Sequence, residues 1–218
     1  MLSIVGSFFV SWLVTLLVIR TTSHDSSFLD EDLSGAQKFH AHPVPRIGGF
    51  AIFCAVIAGG VLSYFRLPVV GIWIFFLILC SVPAFGSGIV EDVTKNVSPL
   101  RRLLFTMISA VIGYFAMDAA IHRIGVPFVD QFFGYWWISL PFTMLAIAGV
   151  ANAFNLIDGF NGLSSFVSIT VALSVAYVCW QVGDVYITTA ALILAGAVAG
   201  LLFWDFPFGM IFLGDGGA

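Results

Sequence analysis

The sequence predicts an all-α, polytopic membrane helix bundle of about seven spans with its N-terminus outside. Three observations predict it. Hydrophobic residues fill 60% of the 218 positions and charged residues only 9%, whereas soluble domains carry about 25% charge. The apolar residues fall in runs of the length needed to cross the bilayer core, about 20 residues each. Six of the eight Lys and Arg (Arg20, Lys38, Arg46, Lys95, Arg101 and Arg102) collect on one side of those runs, against Arg66 and Arg123 on the other. By the positive-inside rule the side with six is cytoplasmic.

The first run, "MLSIVGSFFVSWLVTLLVIR", lacks a basic leader and a small-residue cleavage site, so residues 2–19 read as a retained span. Further spans are expected at 47–65, 67–86, 103–121, 135–151, 164–181 and 186–204, with Pro141 interrupting the fifth. Connections 20–46, 87–102, 152–163 and 205–218 then share the cytoplasmic side. Tyr135, Trp136 and Trp137 read as an interfacial belt on the outer side. Cys54, Cys80 and Cys179 each lie in a separate apolar run and read as inert thiols. No repeat, soluble domain, nucleotide-binding glycine loop, nucleophile elbow or basic nucleic-acid stripe is present.

Four polar stretches interrupt the apolar pattern: "QKFHAHPVPRIGG", "GIVEDVTKNVSPLRR", "NAFNLIDGFNG" and "FLGDGGA". All fall on the cytoplasmic side, so Glu91, Asp92, Asp158, Asp205 and Asp215 meet one membrane surface. Hard oxygen ligands of this kind suit Mg²⁺, which takes one or two protein carboxylates and completes its shell with water and substrate phosphate. Asn152, Asn155, Asp158 and Asn161 recur every three residues, near one helix face, and that face is costly against lipid unless it lines a polar site. Gly159 and Gly162 allow close approach of a ligand or backbone. Lys95 lies three beyond Asp92 and can offset the paired acids. Asp205 reads as a boundary residue, and His40 and His42 as parts of a solvated loop without a zinc pattern.

"NAFNLIDGFNGL" resembles the Asn-Ala-x-Asn-Leu-x-Asp-Gly-x-x-Gly-Leu signature of polyprenyl-phosphate N-acetylhexosamine-1-phosphate transferases, a family that includes the undecaprenyl-phosphate GlcNAc-1-phosphate and phospho-N-acetylmuramoyl-pentapeptide transferases. "EDVTK", "FLGDGGA" and "PVPRIGG" resemble three further segments of that family, in the same order. The resemblance implies transfer of a sugar-1-phosphate from a UDP-sugar to a polyprenyl phosphate with release of UMP, as the first membrane step of an envelope polysaccharide such as O-antigen. It implies a Mg²⁺ cofactor that Mn²⁺ can replace, a bacterial plasma-membrane setting, and pairing of two copies as an option. By likeness Asp215 and Asp158 are metal ligands, and Glu91, Asp92 and Lys95 act on the attacking phosphate. Asn152, Asn155 and Asn161 bind substrate, and Lys38 or Arg46 supplies the basic residue ahead of the Gly48–Gly49 pair. Glu91 and Asn161 stand where the family usually has Asp. The family's members continue for several more spans, so the chain is expected to be the N-terminal part of a longer enzyme and inactive by itself. Two alternatives from other classes stay open: a small solute transporter, and an inactive remnant.

Overall fold

The computed structural model describes residues 1–22 and 44–217. The expectations for Lys38, His40 and His42 lie outside them. Among the described residues seven helices are long and apolar enough to cross a membrane: α1 (Leu2–Thr22), α2 (Gly48–Arg66), α3 (Pro68–Thr94), α4 (Pro99–Met117), α5 (Trp136–Ile157), α6 (Leu163–Gln181) and α7 (Val185–Asp205). The membrane bundle expected from hydropathy is the fold.

The helices pack through small residues, because lipid removes most of the hydrophobic drive for helix association. Ser3, Ser7, Ser11 and Thr15 repeat every four residues along α1 and are all buried. Ser7 and Ser11 face α7 at Gly196 and Gly200, where a Cβ would press on the Ser7 hydroxyl and the Ser11 side chain, while Ser3 accepts from Ser63 Oγ of α2 at 3.0 Å. Ser7 Oγ donates to the Ile193 carbonyl at 3.1 Å, and Trp204 Nε1 donates to the Trp12 carbonyl at 3.2 Å. One buried cluster joins α2 (Ile52, Ala55), α7 (Ala197, Val198, Leu201) and the chain after α7 (Ile211, Leu213).

The helix ends depart from the hydropathy reading where polar residues gather. α3 continues to Thr94, eight residues past the expected end, and at 27 residues is about 40 Å long. That exceeds the roughly 30 Å hydrocarbon layer, so Glu91 and Asp92 ride on a helical turn. α5 likewise runs through Pro141 to Ile157, carrying Asn152 and Asn155, while Asp158 caps it and Asn161 lies beyond. The expected single helical face therefore holds for the two asparagines and fails at Asn161. α4 begins four residues early, with Pro99 at its first position and Ser98 as cap. It ends at Met117, and the following chain is held by α5 side chains: Ile121 N–H donates to Thr143 Oγ1 (3.1 Å) and Ser139 Oγ donates to the Ile121 carbonyl (2.8 Å).

Candidate functional site

Beyond α7 the chain turns back into the bundle instead of leaving it. Ile211, Phe212 and Leu213 are buried, and their backbone lies against the start of α2. Gly48 and Gly49 donate to the Phe212 and Leu213 carbonyls at 3.0 and 2.7 Å, and Phe212 N–H donates to the Pro45 carbonyl at 3.0 Å. These bonds replace the side-chain cap that α2 lacks. A tight turn follows, closed by Gly217 N–H on the Gly214 carbonyl (3.1 Å), with Gly214 at φ 74°. The left-handed conformation there suits glycine.

That turn meets three helix ends. Asp92 from α3 accepts from the Asp215 and Gly216 amides, each at 2.8 Å. Asp158, at the end of α5, accepts from the Gly214 amide at 2.8 Å through Oδ2 and from the Ser164 hydroxyl at 2.5 Å through Oδ1. The Asp215 side chain forms an ion pair with Arg102 at the start of α4 and a hydrogen bond with Asn155 Nδ2, and Arg102 also donates to Asn155 Oδ1 at 3.1 Å. Burial pushes the Asp158 carboxyl up to about 6. The Asp215 charge adds to that rise, while the Ser164 and Gly214 donors and the Arg46 charge oppose it.

Of the sequence-derived site residues, Asp92, Asp158, Asp215 and Asn155 converge here, with Arg46 close enough to act on Asp158. Asn152 lines the same cavity wall as Asn155. Glu91 accepts from the Val97 amide at 2.5 Å and so braces the turn between α3 and α4. Lys95 ends α3 in a left-handed conformation and is exposed. Asn161 packs over Gly209, on the loop after α7. Asp205 is the last residue of α7, at the span boundary as expected, yet it is fully buried and accepts from Ser165 Oγ at 3.0 Å. Two contributors were missed in the sequence, Arg102 and Ser164. A signal existed for Arg102, since a basic pair in the first turn of a helix opposes the helix dipole and calls for an acidic partner.

Arg102, Asn152, Asn155 and Asp215 line one end of a cavity of about 450 Å³. Its walls are apolar, include the stacked Phe53 and Phe85 rings 3.9 Å apart, and reach Met117 at the far end of α4. Among the described residues no group of three or more His, Cys, Asp or Glu is placed to hold a metal. The donor set does fit a hard cation carried by Asp215 and completed by substrate oxygens, which is how Mg²⁺ is commonly bound beside phosphates.

The profile of glycosyl transferase family 4 matches residues 74–218, which span every acid of the site. The chain belongs to that family. It is 29% identical over its whole length to a probable undecaprenyl-phosphate N-acetylglucosaminyl 1-phosphate transferase of Bacillus subtilis, covering 60% of that protein. Phospho-N-acetylmuramoyl-pentapeptide-transferases of Clostridium beijerinckii and Bartonella quintana are 30% and 28% identical over 80% of this family 4 chain, which covers 56% and 55% of them. The chain thus spans little more than half the length of these relatives.

Proposed function

We propose that the protein transfers a sugar-1-phosphate, an N-acetylhexosamine-1-phosphate, from a UDP-sugar to undecaprenyl phosphate at the cytoplasmic lip of a bacterial plasma membrane, opening the synthesis of an envelope polysaccharide. The observation that carries this reading is the meeting of Asp215, Arg102, Asn152 and Asn155 at one end of a cavity with apolar walls, with Asp215 on a turn that Asp92 and Asp158 hold by its amides. Family membership and the activities named for the relatives support it. A water-soluble nucleotide can reach the polar mouth, and a lipid phosphate can approach it from the bilayer.

In the reaction an oxygen of the lipid phosphate attacks the sugar-bearing phosphorus of the UDP-sugar. The new P–O bond forms as the bond to the UMP oxygen breaks, and UMP leaves with that electron pair. Such a transfer demands positioning and charge neutralisation more than covalent help from the protein. Mg²⁺, or Mn²⁺ in its place, held by Asp215 would supply neutralisation of the diphosphate. Arg102 offers a guanidinium to phosphate oxygens, a geometry suited to two-point binding. Asn152 and Asn155 offer amide groups to the nucleotide, and Arg46 adds positive charge beside Asp92 and Asp158.

The test is release of UMP, with formation of a lipid-linked sugar, from UDP-GlcNAc and undecaprenyl phosphate in membranes holding the full-length protein. Both should require a divalent cation and be lost in Asp215→Asn, which removes charge at nearly constant volume. Turnover undiminished in that variant would refute the assignment of Asp215. Absence of turnover with solute flux across vesicles would favour a transporter.

A further inference from the structure

The acids of the site do not all present themselves alike. Asp215 turns its carboxylate toward the side chains of Arg102 and Asn155, at the end of the cavity. Asp92, and Asp158 through its Oδ2, turn onto the main chain, and between them they accept from the three successive amides of Gly214, Asp215 and Gly216, each at 2.8 Å. Consecutive N–H groups of this kind form an anion-binding nest, and here the protein's own carboxylates fill it from two helices. We propose that Asp92 and Asp158 are positioning residues that clamp the 214–216 turn and so fix where Asp215 points, rather than groups that take a proton from substrate or hold an ion. The clamp stands on geometry alone; what Asp215 is aimed at rests on the transferase reading.

Three further observations carry the inference. Asp92 and Asp158 are each 6% exposed, which leaves little room for substrate beside oxygens already engaged. The turn is seated against helix glycines: a Cβ at Gly88 of α3 would meet the Asp215 carbonyl carbon at 2.6 Å, and one at Gly49 of α2 would meet Gly217 Cα at 2.7 Å. Asp92 Oδ2 itself lies where a Cβ on Gly214 or Gly216 would approach to 2.9 or 3.2 Å, so the carboxylate fits only because both residues lack one. Ser164 then holds Asp158 from behind at 2.5 Å and is fully buried. The chemistry agrees. A phosphate monoester loses its second proton near pH 6, so the attacking oxygen is already ionised at neutral pH and needs no base.

Hydrogen–deuterium exchange of the 214–216 amides in the detergent-purified chain tests the clamp, with Mn²⁺ binding followed by electron paramagnetic resonance. Asp92→Asn and Asp158→Asn should each raise exchange there about ten- to a hundredfold, the span expected for losing a hydrogen bond to a charged acceptor, and should weaken Mn²⁺ binding. Asp215→Asn should weaken Mn²⁺ binding while leaving those amides protected. Ser164→Ala, a milder change, should raise exchange at Gly214 alone. Wild-type protection of 214–216 in Asp92→Asn, with turnover lost, would overturn the proposal and make Asp92 a group acting on substrate. If the aspartate variants do not fold, unchanged exchange at Gly214 in Ser164→Ala overturns it instead. A wild-type protein that binds no Mn²⁺ would count against the transferase reading, while the exchange data still decide the clamp.

Discussion

Replacing Arg102 with Gln removes the cation that Asp215 and Asn155 share. Arg102 and Asp215 side chains are 20% and 9% exposed, so the pair is only partly screened by water. Two bonds are lost, to Asp215 and to Asn155; with charged partners each is worth about 1.5 kcal/mol at the lower end of its range, about 3 kcal/mol together. Relief of a cation at a helix N-terminus returns about 0.5 kcal/mol, and a Gln amide recovers about one neutral bond. The net cost is about 1.5–2 kcal/mol, or about 3–8 °C in Tm for a domain of this size. A thermal-shift measurement in detergent should show that drop without added metal. Millimolar Mg²⁺ should restore more of the Tm in Arg102→Gln than it adds to wild type, because the ion substitutes for the missing guanidinium beside Asp215. An unchanged Tm, or a drop that Mg²⁺ does not preferentially reverse, would refute the reasoning.

Gly88→Ala drives a methyl into the backbone of residues 215 and 216; overpacking of this kind costs about 1–3 kcal/mol, and activity should fall with stability in a thermal-shift and turnover comparison. Burial holds the Asp158 carboxyl at about 6, against 3.8 for an ordinary aspartate. Between those values the folded protein retains a proton that the unfolded chain has lost, so Asp158 should make stability decline as pH rises from about 4 to 6 and level off above, by about 3 kcal/mol at most. Asp158→Asn should remove that part of the slope in melts taken across the window, and an identical slope in the variant would contradict the assignment. For orientation, cysteines placed at the exposed Ser98 and Phe160 should react with an impermeant maleimide only from the cytoplasmic side, and one at the exposed Phe128 only from outside. The reverse pattern would remove the cytoplasmic site.

The spans were legible because a bilayer imposes a length and an apolar composition that few other environments demand. The errors fall at the ends that carry chemistry. Hydropathy discards Glu91, Asp92, Asn152 and Asn155 as loop, yet α3 and α5 keep their helical hydrogen bonds past the hydrocarbon edge and deliver these residues on turns. The gathering of Asp92, Asp158 and Asp215 was also legible, since alternate connections must share a side. Their division of labour was not. The partners of Asp92 and Asp158 are amides of a turn 123 and 56 positions away, and a backbone amide leaves no mark in the residue types. Asn161 misled for a related reason: its three-residue spacing continues that of Asn152 and Asn155, but the helix stops at Ile157.

The serine and threonine stripe on α1 has a bearing on assembly in the cell. Ser3 meets Ser63 of α2, but Ser7 and Ser11 meet α7, so this part of α1 waits for a helix made much later in the chain. At 5–20 residues per second, the interval is on the order of 10 to 40 s. During it the hydroxyls of Ser7 and Ser11 can turn to their own helix carbonyls, as Ser7 does with Ile4. Substitutions that make this stripe greasier, such as Ser11→Leu, would leave translocon insertion of α1 intact and still strand it outside the finished bundle, a defect visible as protease sensitivity of a correctly inserted chain.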